Sequence, residues 1–218
     1  MKISAAQAKA ITEDWLKHFP TLGVYKPLHL LRRCGPMLVG ICLNRAPSAD
    51  IYKPTFHSHC LLRRSPTISL SLAVQLKAPN GSEASISTKF HESKLPEAAA
   101  KMKGLALLPM ANDIRLADYE TASARWLKDQ QTPYWPTVLE DGILLRAWAG
   151  LDYSATLNDT EKVLRSWPAF VTDKLGGVAA WIARVEKAAR NRDELAATLA
   201  DEVAAHKLAS LPTGSFIA

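Results

Sequence analysis

The chain has 218 residues, 48 % apolar and 22 % charged, which is enough to bury a sizeable core and too apolar for extended disorder. Its net charge of +6 is unevenly placed: residues 1–107 carry 15 Lys+Arg against 6 Asp+Glu, and residues 108–218 carry 12 against 15. Three cysteines, Cys34, Cys42 and Cys60, with no CxxC spacing argue against a disulfide framework or a structural zinc site, and leave buried free thiols.

Ser4 followed by Gln7 has the spacing of a capping box. Ala8, Ile11 and Trp15 then recur at three- and four-residue intervals, so residues 5–18 are expected to form a helix with one buried stripe, ended by Phe19-Pro20. This start has no apolar signal-peptide core, and no stretch approaches the roughly 20 apolar residues of a membrane helix. A cytoplasmic location with no membrane partner is expected.

Strands follow. Leu28 to Arg33 reads as one, stopped by Cys34-Gly35-Pro36. Met37 to Asn44 is almost continuously apolar, as in a central strand covered on both faces. A loop begins at Ala46-Pro47-Ser48, and Thr55 to Arg63 reads as a third strand. From Thr67 to Lys77, Ile68, Leu70, Leu72, Val74 and Leu76 alternate with polar or small residues. Pro79-Asn80-Gly81 is a turn and Ser85 to His91 alternates again, so the two runs predict a hairpin.

After His91 the period becomes helical: 96–105, 113–130, 137–149, 159–167, 169–188 and a last helix marked by Leu195, Leu199 and Val203, with a loose tail from Pro212. Strands followed by helices, without alternation, predict an α+β fold: an N-terminal helix, a mainly antiparallel sheet of about four to five strands, then a helical half packed on it. The chain is expected to be one domain, 1–218, with a possible division into a strand-rich basic part, 1–92, and a helical part, 93–218.

No motif fixes a reaction. Gly35 and Gly40 have phosphate-loop spacing, but Ile41 stands where lysine is required. In Phe56-His57-Ser58-His59-Cys60, a strand would put His57 and His59 on one face, roughly 7 Å apart. With His91 from the predicted hairpin they would offer three neutral imidazoles, a ligand set for a catalytic divalent metal. Arg32-Arg33 and Arg63-Arg64 both end predicted strands, and on a common edge their guanidinium groups would suit an anionic partner. Lys89 would extend that basic face. Tyr134 and Trp135, between two prolines, form a rigid aromatic loop of the kind that anchors interfaces. These features lead to a non-catalytic interaction protein in an immunity- or accessory-type role, binding a protein partner through the basic sheet face or the aromatic loop and needing no cofactor. Nucleic-acid binding through the same basic residues, or a metal-dependent enzyme using His57, His59 and His91, are the alternatives.

Overall fold

The computed structural model describes residues 2–47, 49–130 and 135–218. Helix α1 (Ala5–His18) leads into β1 (Gly23–Lys26), β2 (His29–Cys34), β3 (Met37–Arg45), β4 (Ile51–Cys60), β5 (Ser71–Gln75) and β6 (Ile86–Ser87). Then come α2 (His91–Leu105), β7 (Ile114–Arg115), α3 (Leu116–Asp129), α4 (Pro136–Trp148), α5 (Ser154–Arg165), α6 (Ala169–Thr172), α7 (Val178–Arg190), α8 (Arg192–Ala205), β8 (Thr213–Gly214) and β9 (Phe216–Ile217). The expected α+β architecture is present: β1 to β5 lie side by side in chain order, each antiparallel to the next.

Both sheet edges are built in two pieces. β1 pairs with the start of β2 and β8 with its end, while β5 pairs with 55–58 of β4 and β6 with 51–52. This explains Pro54 inside β4, a strand that begins four residues before the expected Thr55. The Pro54 carbonyl accepts from the Leu76 N–H, so its missing N–H also points to that side, at the junction of β5 and β6.

The capping box forms as read: Ser4 Oγ accepts from the Gln7 N–H and Gln7 Oε1 from the Ser4 N–H. Between β2 and β3 a two-residue turn places Gly35 at φ +54, the glycine conformation of a type II′ hairpin turn followed by Pro36. β3 is covered on both faces. Met37, Val39, Ile41 and Leu43 point into the main core with Leu30, Tyr52, Phe56, Cys60 and the apolar stripes of α1 to α4. On the opposite face, Leu31, Leu38 and Leu61 form a second, smaller cluster with Leu208 and Leu211 after α8, against which Tyr25, Ile68, Leu199 and Val203 pack.

Four expectations give way. The hairpin of 67–77 and 85–91 shrinks to Ser71–Gln75 and Ile86–Ser87, both paired to β4 and joined only by a Lys77–Glu83 bridge. Leu72 takes φ +47 and a register shift falls opposite it, so the alternating run cannot continue, and Leu70 is left exposed. The helix expected at 96–105 starts at His91, after a 3-10 turn over Thr88–Phe90. The 169–188 helix breaks at Gly176 and Gly177, whose φ of +80 and +90 end one segment and begin the next. The tail from Pro212 is not loose: it forms β8 and β9, pairing with β2 and β7.

Candidate functional site

The predicted metal triad does not assemble. His57 and His59 do share the smaller-core face of β4, but His91 is the first residue of α2, against the main core. There the Tyr52 hydroxyl, which accepts from Trp15 Nε1 at 3.1 Å, donates to His91 Nδ1 at 2.7 Å, and His91 Nε2 donates to Asp14 at 3.2 Å. That chain ties α1, β4 and α2 together. Burial pushes the Tyr52 hydroxyl up to about 12, which keeps it protonated as this chain requires. Among the described residues no three His, Cys, Asp or Glu side chains are placed to hold a metal ion.

His57 finds instead a partner that sequence reading missed, His29. The register places His29 opposite Cys42 and His57 opposite Gly40, so the two rings approach diagonally across β3. Gly40 offers no side chain to separate them, and their Nε2 atoms lie 2.7 Å apart. One must donate and the other accept, so the acceptor ring carries its hydrogen on Nδ1. Both Nδ1 atoms are buried without a partner, so the pair leaves one buried donor unpaired.

His59 is held differently. The segment after β4 folds back over this face, and the Ser69 N–H donates to His59 Nδ1 at 3.1 Å while Ser69 Oγ sits 2.7 Å from the same atom. The ring hydrogen is therefore on Nε2, which is buried and unpaired; the ring of His206 lies edge-on to that of His59, with centroids 6.3 Å apart. All three rings are almost fully buried: His29 is 3 % exposed, His57 and His59 0 %. Burial drives each toward its neutral form, His29 to about 2, helped by His57 and Lys26, and His57 to about 4. His59 falls to about 3, through burial and then the positive charge of Arg63, with His206 and His57 adding to it. These are satellite-core histidines engaged with each other and with serine, not a ligand set.

The arginine cluster also dissolves, although β2 and β4 do end on the same edge. Arg32 is buried and donates to the carbonyls of Asn112 (2.7 Å) and Thr213 (3.4 Å), clamping the C-terminal strap. Arg33 reaches back to the Gly35 carbonyl at 3.5 Å. Arg63 turns inward to Asp141 of α4 at 2.9 Å and to Ser69 Oγ at 3.3 Å. Arg64 pairs on the surface with Asp201 of α8. Arg32, Arg63 and Arg64 each find a partner from a part of the chain remote in sequence, which a reading of local spacing could not supply. Lys89 lies in the 3-10 turn, 5.6 Å from the Phe90 ring centroid, off the sheet face. Trp135 is 36 % exposed, with its ring edge-on to Trp126 at 4.9 Å, and Tyr134 lies outside the described residues.

The accessible candidate is elsewhere. Between the end of α1, the segment 106–111 and α3 runs an open groove of about 760 Å³. Phe19, Leu108, Met110 and Ala122 floor it, all buried, and Thr21 Oγ1 donates to the Met110 carbonyl at 2.9 Å, tying its two loops together. His18, Lys103 and Arg125 stand on the rim, against a single carboxylate, Asp118, which already accepts from the Arg115 N–H at the start of α3. Lys103 lies over the Phe19 ring at 5.4 Å, so its methylenes extend the apolar wall while its charge stays outside.

No family model matches the chain, and searches of curated proteins and of solved structures gave no match either.

Proposed function

We propose that the protein is a non-catalytic interaction protein that binds an acidic protein partner in the groove between α1, the 106–111 segment and α3. The reading rests on one observation: an apolar floor of Phe19, Leu108 and Met110 rimmed by His18, Lys103 and Arg125. Such a surface favours a partner segment whose bulky apolar side chains are flanked by Asp or Glu, with contact area from the floor and orientation from the rim. The net charge of +6 would also favour association with an acidic partner. The sheet face and the paired arginines are occupied internally, so the groove takes their place as the binding surface.

The test is a pull-down from host lysate, with and without nuclease, using the unaltered protein and a Lys103→Glu/Arg125→Glu variant of unchanged thermal stability. A stoichiometric protein held by the first and lost by the second is the expected result. A partner retained by the variant removes the groove. Bound material that disappears with nuclease replaces the protein partner by nucleic acid, whose affinity would also fall steeply with salt.

A further inference from the structure

We propose that the loop Arg63–Leu70 is a proton-released latch, held shut over β4 by neutral His59 and opened when that ring is protonated. The case is geometric. The loop folds back across the second face of the sheet and is pinned there by the Ser69 N–H donating to His59 Nδ1 at 3.1 Å. A proton on Nδ1 would set donor against donor, and the backbone amide cannot reverse its role. Ser69 Oγ, at 2.7 Å, can turn to accept, but the N–H bond is lost.

The remaining fastenings are side-chain contacts at Ser69 Oγ, from Arg63 at 3.3 Å and with Ser71 Oγ at 3.1 Å, and a set toward the loop's outer end. The Ser65 N–H donates to Glu202 at 3.2 Å, His206 Nε2 donates to the Ser65 carbonyl at 3.0 Å, and Arg64 pairs with Asp201 on the surface. Ile68 packs on the small leucine cluster and not on the main core. Opening therefore costs little of the molecule's apolar burial and uncovers a face that already holds unpaired ring nitrogens.

The charges around the latch favour release once His59 carries a proton. Arg63 faces it with a permanent positive charge, and His206 and His57 also lie against it. The carboxyl groups nearby do not offset this charge: Glu202 lies 3.3 Å from His206, and Asp141, which bonds Arg63, is raised to about 7 by burial and is protonated at pH 5. Lys26, beside His29, adds a further positive charge on this face.

Native-state hydrogen exchange read by mass spectrometry or NMR tests the latch. The Ser69 amide, after correction for the intrinsic exchange rate, should open about thirtyfold more readily at pH 5 than above pH 7.5, the gain expected for one histidine returning to its ordinary value near 6.5. Amides of β3 should keep their protection over the same range. His59→Gln keeps an acceptor for the Ser69 N–H but cannot titrate, so its loop should stay shut at pH 5. Should that variant fail to fold, the ring resonances of His59 in the unaltered protein supply the readout, titrating together with Ser69 exposure. Ser69 protection that does not change with pH overturns the proposal. So does loss of protection shared equally with β3, or an identical pH response in folded His59→Gln.

Discussion

At the scale of single residues, the turn between β1 and β2 shows how a side chain far away licenses a backbone conformation. Pro27-Leu28 joins Lys26 to His29, with Leu28 at φ +66, a position at which glycine is the usual occupant. Leu28 is buried, and its N–H donates at 2.7 Å to Thr12 Oγ1 of α1, which itself donates to the Ala8 carbonyl at 2.6 Å. Thr12→Val keeps the shape of the side chain and leaves the Leu28 N–H buried without an acceptor. It should lower stability by about 1–3 kcal/mol in urea denaturation, and an unchanged midpoint would show that the turn holds without α1. Two glycines give a second contrast. A Cβ at Gly40 would come 2.0 Å from the Leu30 carbonyl oxygen, whereas one at Gly142, inside α4, would meet Tyr119 at an ordinary 3.8 Å. Gly40→Ala is therefore expected to cost at least about 1–3 kcal/mol, and Gly142→Ala to stabilise by about 0.5–1 kcal/mol. The capping box of α1 was legible because its partners are three residues apart. Thr12 was not, because its partner is sixteen residues away across a turn that no local pattern announces.

At the scale of elements, Arg63 connects the end of β4 to α4. Asp141 is 1 % exposed, and burial lifts its carboxyl to about 7 against the opposing pull of Arg63, at 2.9 Å. Removing Arg63 leaves a buried carboxylate without its counter-charge, which typically costs about 3–5 kcal/mol. Arg63→Met should show that cost at pH 8, where Asp141 is ionised, and a smaller one at pH 5, where it is protonated. A penalty that does not vary with pH would mean that packing of the arginine stem, and not its charge, carries the effect. The periodic helices were readable because each buries a stripe that repeats every three or four residues, as α1 does with Ala8, Ile11 and Trp15. The shortness of β5 and β6 and their pairing with β4 were not, because alternation from Thr67 to Lys77 cannot reveal that Ser69 is drawn out of line onto His59. The pairing of His57 with His29 depends on β2 lying one strand beyond β3, so it appears only once the strand order is known.

At the scale of the whole molecule, four buried titrating groups act on stability with opposite signs. His29, His57 and His59 have folded-state values of about 2, 4 and 3, all below the ordinary value of 6.5. The unfolded chain therefore binds protons first as pH falls, and their contribution, intact above 6.5, is lost by about 1.4 kcal/mol per pH unit for each ring until its folded value is reached. Asp141 is raised to about 7 from 3.8, so the folded state holds its proton more tightly. Its contribution is greatest at low pH and is lost as pH rises from about 4 to about 7. Between pH 7 and pH 5 three groups destabilise and one stabilises, which leaves a net loss of roughly 3 kcal/mol, a large share of the 5–15 kcal/mol typical of a domain. Urea denaturation at pH 7 and pH 5 measures it, and Asp141→Asn, which removes the opposing group, should make the acid loss steeper. Equal stability at the two pH values would mean that the histidine rings take up protons in the folded state nearly as readily as in the unfolded chain. The second face of the sheet would then be open to solvent and not sealed by the Arg63–Leu70 loop and the leucines that follow α8.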